Sequence, residues 1–106
     1  MRNNIIVSKM LGYIDKILSY SNGLDYQSFS KNTLIVDACV FNLSQLGELT
    51  TKLDKNFIEM HSDIPWNEMR GLRNKIVHDY EGVNLKLVWE IVSEDLPELK
   101  GKLKNI

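Results

Sequence analysis

Apolar residues recur along this chain at intervals of three and four, the spacing of one helix face, and rarely alternate as a strand requires. Ile6, Met10, Ile14, Ile17 and Leu18 predict a first helix over about Asn4 to Tyr20, which Ser21-Asn22-Gly23 then breaks. A lead-in through Asp25 to Phe29 reaches the longest helix, about Lys31 to Leu53. Its buried face is expected to carry Leu34, Ile35, Ala38, Phe41, Leu46, Leu49 and Leu53. Asn42 and Gln45 fall inside that arc and Glu48 on its edge, where polar groups need partners. Phe57, Ile58 and Met60 give Asn56 to His61 enough to bury as a brief helix. Asp63-Ile64-Pro65 opens a further helix, since proline is tolerated in a first turn, and Gly82 marks its exit. Asn84 can cap a last helix through Leu85, Val88, Trp89, Ile91 and Val92. Pro97 should kink or restart it, with Leu99 and Leu103 continuing. The expected fold is all-α: an up-and-down bundle of four main helices with an additional short one, a single domain over residues 1–106.

The helix expected from Pro65 to Tyr80 is the unusual one. At about 100° per residue, Trp66, Met69, Leu72, Ile76, Val77 and Tyr80 share one broad arc, and Arg73 lies within it. A core-facing guanidinium is costly unless it is paired or opens onto a polar cleft. Asn67, Arg70, Gly71, Asn74 and His78 form a second stripe beside the first, while Glu68, Lys75 and Asp79 take the wet side. A polar stripe flanking a buried arginine has the makings of a site wall.

Composition narrows the setting. The 106 residues are 43% hydrophobic and 25% charged, which is ordinary for a soluble globular domain with one modest core. Cys39 is the sole cysteine, so no internal disulfide is possible and a reducing cytoplasm is the natural compartment. Its neighbours suggest a small buried hydrophobe and not a nucleophile. No cationic, apolar leader opens the chain, and no apolar run approaches the roughly 20 residues of a membrane span. The net charge of −1 lacks the generic mark of a nucleic-acid binder, so any RNA contact rests on a local cluster such as Arg70 and Arg73 with nearby lysines. His61 and His78 do not have the spacing of a metal site, and His61, in a loop, reads as solvated and idle.

Arg73-Asn74-x-x-x-His78-x-Tyr80 is similar to the Arg-x4-His-x-Tyr signature of the HepT-like branch of HEPN-domain proteins. Gln45-Leu46-Gly47-Glu48, Ile64-Pro65-Trp66, Gly71-Leu72-Arg73 and the tail from Val88-Trp89 to Leu96-Pro97 also look like that branch. The resemblance runs from about Asp25 to the C-terminus. It implies a homodimeric, metal-independent endoribonuclease without cofactor, the toxin of a prokaryotic toxin–antitoxin pair acting on tRNA or mRNA. Arginines and histidines of two subunits would meet in a cleft at the two-fold interface. Its cognate antitoxin would be a minimal nucleotidyltransferase that silences it by transferring AMP to the motif tyrosine. Carried over by position, Arg73 and His78 become the catalytic pair, Asn74 a supporting polar residue, and Tyr80 the modification site; Arg70, from the local cationic cluster, is a further supporting candidate.

The residue types suit that chemistry. RNA carries its own nucleophile, the 2′-hydroxyl. A site that cuts it needs a proton carrier working near neutrality, which histidine supplies, and a cation on the phosphorane oxygens, which arginine supplies. On one helix Arg73 and His78 would lie about 140° apart and reach a groove from different walls. Glu48 is the expected ion-pair partner that orients Arg73. Each residue also has a plainer reading: His78 as a partner of a helix C-terminal dipole, Arg73 as half of a structural pair with Glu48, Tyr80 as core with a surface hydroxyl. Trp66 and Trp89 fit core positions better than base-stacking platforms. Two rival functions remain: a non-catalytic helical partner or substrate-binding subunit of a minimal nucleotidyltransferase, and an inactive dimerisation module.

Overall fold

Capping and close helix contacts decide where the chain's segments begin and end. The computed structural model describes residues 2–78 and 82–106, for 77 and 78 the backbone alone. Helix α1 (Arg2–Ser21) buries Ile6, Val7, Met10, Ile14 and Ile17, and Gly23, at φ +77°, turns the chain out of it. Asp25 caps α2 (Tyr26–Lys31) by accepting from the Ser28 amide at 2.8 Å, a bond that holds its carboxyl below the usual value. Asn32 caps α3 (Thr33–Thr50) in the same way, accepting from the Ile35 amide at 3.1 Å. A short α4 (Lys55–Met60) follows. Trp66 is buried as expected, and Trp89 is half-buried against the core, where the fully buried Phe29 packs on it with ring centroids 5.1 Å apart.

Helix α3 buries a face turned from the one the periodicity predicts: Leu46 and, just past the helix, Leu53 are buried as expected, but Leu34 and Phe41 are not. Val36, Cys39, Leu43, Leu46 and Thr50 are buried, whereas Leu34 is 78% exposed and Phe41 61% exposed. Each exposed residue stands two positions before a core residue, Val36 or Leu43, and so about 200° round the helix from it. The helix carries two apolar stripes, and packing selects one. Asn42 is buried as expected, and its side-chain amide donates to the Ala38 carbonyl at 2.7 Å.

The helix expected over residues 65–80 is broken. It forms as α5 (Trp66–Arg70) and α6 (Leu72–Ile76) with Gly71 between them, and is followed by strand β1 (Val77–His78). β1 pairs antiparallel with β2 (Gly82–Val83), His78 opposite Gly82 and Val77 opposite Val83. The amide of Asn84 donates to the Ile76 carbonyl at 2.9 Å, and Gly82 adopts φ +81°, which suits glycine at the return of a hairpin. The helix therefore ends four residues before Tyr80, and the tyrosine itself lies outside the described residues.

Asn84 caps α7 (Leu85–Glu90) as predicted, accepting from the Leu87 amide at 3.2 Å. The expected disturbance at Pro97 takes the form of a π-helical turn, Ile91–Asp95, before α8 (Leu96–Lys104). Proline has no amide to donate to residue 93 and its ring crowds that carbonyl, so the turn widens. One contiguous core unites α1, α2, α3, α5, α6, α7, the π turn and α8. Among the described residues the fold is all-α apart from this hairpin of two two-residue strands. Among the described residues, no helix is long and apolar enough to cross a membrane.

Candidate active site

The motif segment is held from beneath by a glycine. Gly47 of α3 is buried against α5, where a Cβ would stand 2.7 Å from the Met69 carbonyl oxygen. No larger residue lets the two backbones come this close. On the same segment Trp66, Met69, Leu72 and Ile76 are buried and anchor α5 and α6. Trp66 also donates its indole N–H to the His61 carbonyl at 2.9 Å, and the His61 ring lies on Phe57 with centroids 4.7 Å apart. His61 is thus half-buried and packed, where the sequence suggests an idle loop residue.

With that side anchored, Asn67, Arg70, Arg73 and Asn74 all face solvent. The expectation of a core-facing Arg73 is therefore corrected. The break at Gly71 and the burial of Leu72 and Ile76 turn position 73 outward. Glu48 is also exposed, and it does not pair with Arg73: among the described residues no carboxylate lies within 4.0 Å of the Arg73 or Arg70 guanidinium. Arg70, Arg73 and Asn74 are each exposed, and among the described residues both guanidinium groups are open to an anion. Such a group can hold a phosphate by two parallel hydrogen bonds.

His78 follows α6 by two residues on β1, so its backbone belongs to the hairpin and not to the arginine's helix. The expected 140° relation on one helix does not apply. The His78 side chain and Tyr80, the expected base and modification site, lie outside the described residues. Cys39 is fully buried, and desolvation pushes its thiol up to about 11, so it behaves as the expected small hydrophobe. Among the described residues, no group of three or more His, Cys, Asp or Glu side chains is arranged to hold a metal ion. The exposed stripe of Leu34 and Phe41 was missed in sequence, although two large apolar residues seven apart are a signal of a second helix face.

A family model described as "Ribonuclease HepT-like" matches residues 10–106. The chain belongs to the HepT-like ribonuclease family. It is 38% identical over 84 residues to a provisionally named RNase of Caldanaerobacter subterraneus, covering 79% of this chain and 75% of that one. A provisionally named RNase of Methanocaldococcus jannaschii is 34% identical over 97 residues, 92% of this chain and 84% of that one. A protein of Thermococcus cleftensis named as a probable ribonuclease HepT is 31% identical over 93 residues, 88% of this chain and 84% of its own length. No solved structure matches the chain. The HepT-like match includes the whole segment from Gly47 through the hairpin, so the glycine contact and the exposed arginines both lie inside the family region.

Proposed function

We propose that this chain is a metal-independent endoribonuclease, the toxin of a prokaryotic toxin–antitoxin pair, working as a homodimer of HEPN-type up-and-down bundles. The observation that carries the reading is the pair of exposed guanidinium groups, Arg70 and Arg73, with no carboxylate within 4.0 Å among the described residues, just ahead of His78 in a HepT-like ribonuclease frame. Arg73 takes the non-bridging oxygens of the scissile phosphate, with Asn74 and Arg70 holding the flanking backbone. One His78 imidazole accepts the proton of the 2′-hydroxyl as that oxygen bonds to phosphorus. The partner copy's imidazolium protonates the departing 5′-oxygen, leaving a 2′,3′-cyclic phosphate and a 5′-hydroxyl. Because each copy supplies one motif histidine, acid and base require two copies.

The exposed Leu34 and Phe41 of α3 support pairing, since the same helix carries Gly47 beneath the motif segment. An α3-to-α3 contact would bring the two arginine surfaces to one cleft. Tyr80 is the switch. Its phenol oxygen attacks the α-phosphorus of ATP in the antitoxin's site, pyrophosphate leaves, and the phenolic proton is lost. The attached AMP then sets a negative phosphate beside the arginines and occupies the RNA path.

Purified protein incubated with total RNA in the presence of a chelator tests the activity. Cleavage that persists in chelator and ends in cyclic phosphate is expected; cleavage abolished by chelator would overturn the mechanism. Co-incubation with a minimal nucleotidyltransferase and ATP should add AMP mass to the wild type and none to Tyr80→Phe. If the wild type leaves RNA intact and accepts AMP, the non-catalytic partner reading replaces this one.

A further inference from the structure

The other side of α5 and α6 forms one wall of a groove whose opposite wall is α7, the π turn and α8. Its volume is about 380 Å³. Met69, Leu72, Leu87, Ile91 and Leu99 make an apolar floor. The π turn brings Ile91 and Asp95 into the same cleft. The rim carries four carboxylates, Glu68, Glu90, Asp95 and Glu98, against two lysines, Lys75 and Lys102. Lys102 is already committed, 3.7 Å from Glu98 and donating to the Asp63 carbonyl at 3.2 Å. Among the described residues no cation lies within 4.0 Å of Glu68, Glu90 or Asp95.

We infer that this groove docks an amphipathic helix of a partner protein, with leucine-like residues on one face and lysine or arginine along both flanks. The apolar floor takes the hydrophobic face and the carboxylate rim takes the basic flanks, as in other helix-in-groove complexes. RNA does not suit the groove, because its phosphates would meet three uncompensated carboxylates. Nor does a second copy of this chain. Its exposed α3 stripe is flanked by acidic Asp37 and Glu48, and two of the three lysines of its basic helix α8, Lys100 and Lys102, are bound to Asp15 and Glu98. The inference stands apart from the ribonuclease reading, since it uses none of Arg70, Arg73 or His78.

The test is a titration of the isotopically labelled full chain with two synthetic amphipathic helices of about 15 residues, a length at which such helices hold together. One carries leucine and lysine and the other leucine and glutamate. The lysine peptide should shift the amide signals of Leu72, Leu87 and Leu99, weaken with added salt, and bind Glu68→Lys/Glu90→Lys roughly tenfold or more weakly. Circular dichroism of that variant checks that these exposed changes leave it folded. Equal binding of both peptides, shifts centred on Leu34 and Phe41, or unchanged affinity in the folded double variant would each overturn the inference.

Discussion

Helices α5 and α6 expose two contrasting chemistries, one outside the groove and one within it. One side turns Arg70, Arg73 and Asn74 to solvent, with no carboxylate among the described residues within 4.0 Å of either guanidinium. The other lines a groove in which four carboxylates outnumber two lysines around an apolar floor. The chain's net charge of −1 hides this division completely. A chain with nearly balanced charge can still attract a polyanion, provided its cations are gathered on one surface and its anions on another. On the proposed readings the two regions would take different partners, phosphate backbones at the arginines and a basic amphipathic helix in the groove.

The largest expected effect falls on the motif residues proposed to carry the reaction. His78→Ala should lower RNA cleavage by about 10²- to 10⁴-fold, the usual worth of a positioned proton carrier. Arg73→Ala should produce a loss of similar order, because arginine stabilises charge that appears in the transition state. Initial rates on total RNA measure both. Glu68→Lys, on the groove side, should change the rate less than threefold or so. If that groove variant loses as much cleavage as the His78 variant, the two sides do not have separate tasks.

Continuous helices were the legible part of this fold, and the region around the site was not. α1 follows from Ile6, Met10, Ile14 and Ile17 because a single apolar stripe leaves one way to bury it. Asn84 and Pro97 mark a cap and a disturbance because each acts on its own backbone neighbours. The strand at Val77–His78 depends on partners outside its own segment: the Asn84 amide on the Ile76 carbonyl, and β2. Periodicity within one segment carries no trace of such bonds. The exposure of Arg73 and the missing Glu48 pair follow from that error, since both assumed an unbroken helix. On α3, two apolar stripes made the buried face ambiguous, and only packing against α1 and α5 resolves it. The motif residue types could still be read, because their chemistry does not depend on the helix being continuous.

Two substitutions on α3 sharpen the comparison without altering an arginine. Phe41→Glu should convert a dimer to a monomer in sedimentation, with a fall in cleavage, while thermal stability changes little because the residue is 61% exposed. A wild type that is already monomeric at all concentrations would remove the shared cleft. Gly47→Ala acts differently. The added methyl meets the Met69 carbonyl, a backbone atom that cannot swing aside, so a cost of about 1–3 kcal/mol in urea unfolding is expected. Unchanged stability would mean that α5 moves away freely, and the arginine surface would then have no fixed support.

The finest test concerns Arg70, which supports the site and is not expected to take part in the reaction. If it holds an RNA phosphate, Arg70→Gln should weaken single-stranded RNA binding by less than about tenfold at moderate salt. More tellingly, the slope of log affinity against log salt should fall by about 0.7, the contribution of one phosphate contact to a single strand. Fluorescence anisotropy of a labelled oligonucleotide on the uncleaving His78→Ala protein measures this without turnover. The same substitution on the groove side, Lys75→Gln, provides the control, since Lys75 lines the carboxylate-rich groove. An equal slope change from Lys75 would mean that the strand crosses both sides of α5 and α6, and the division of charge would no longer separate RNA from protein. A change confined to Arg70 makes the polyanion path a property of one surface.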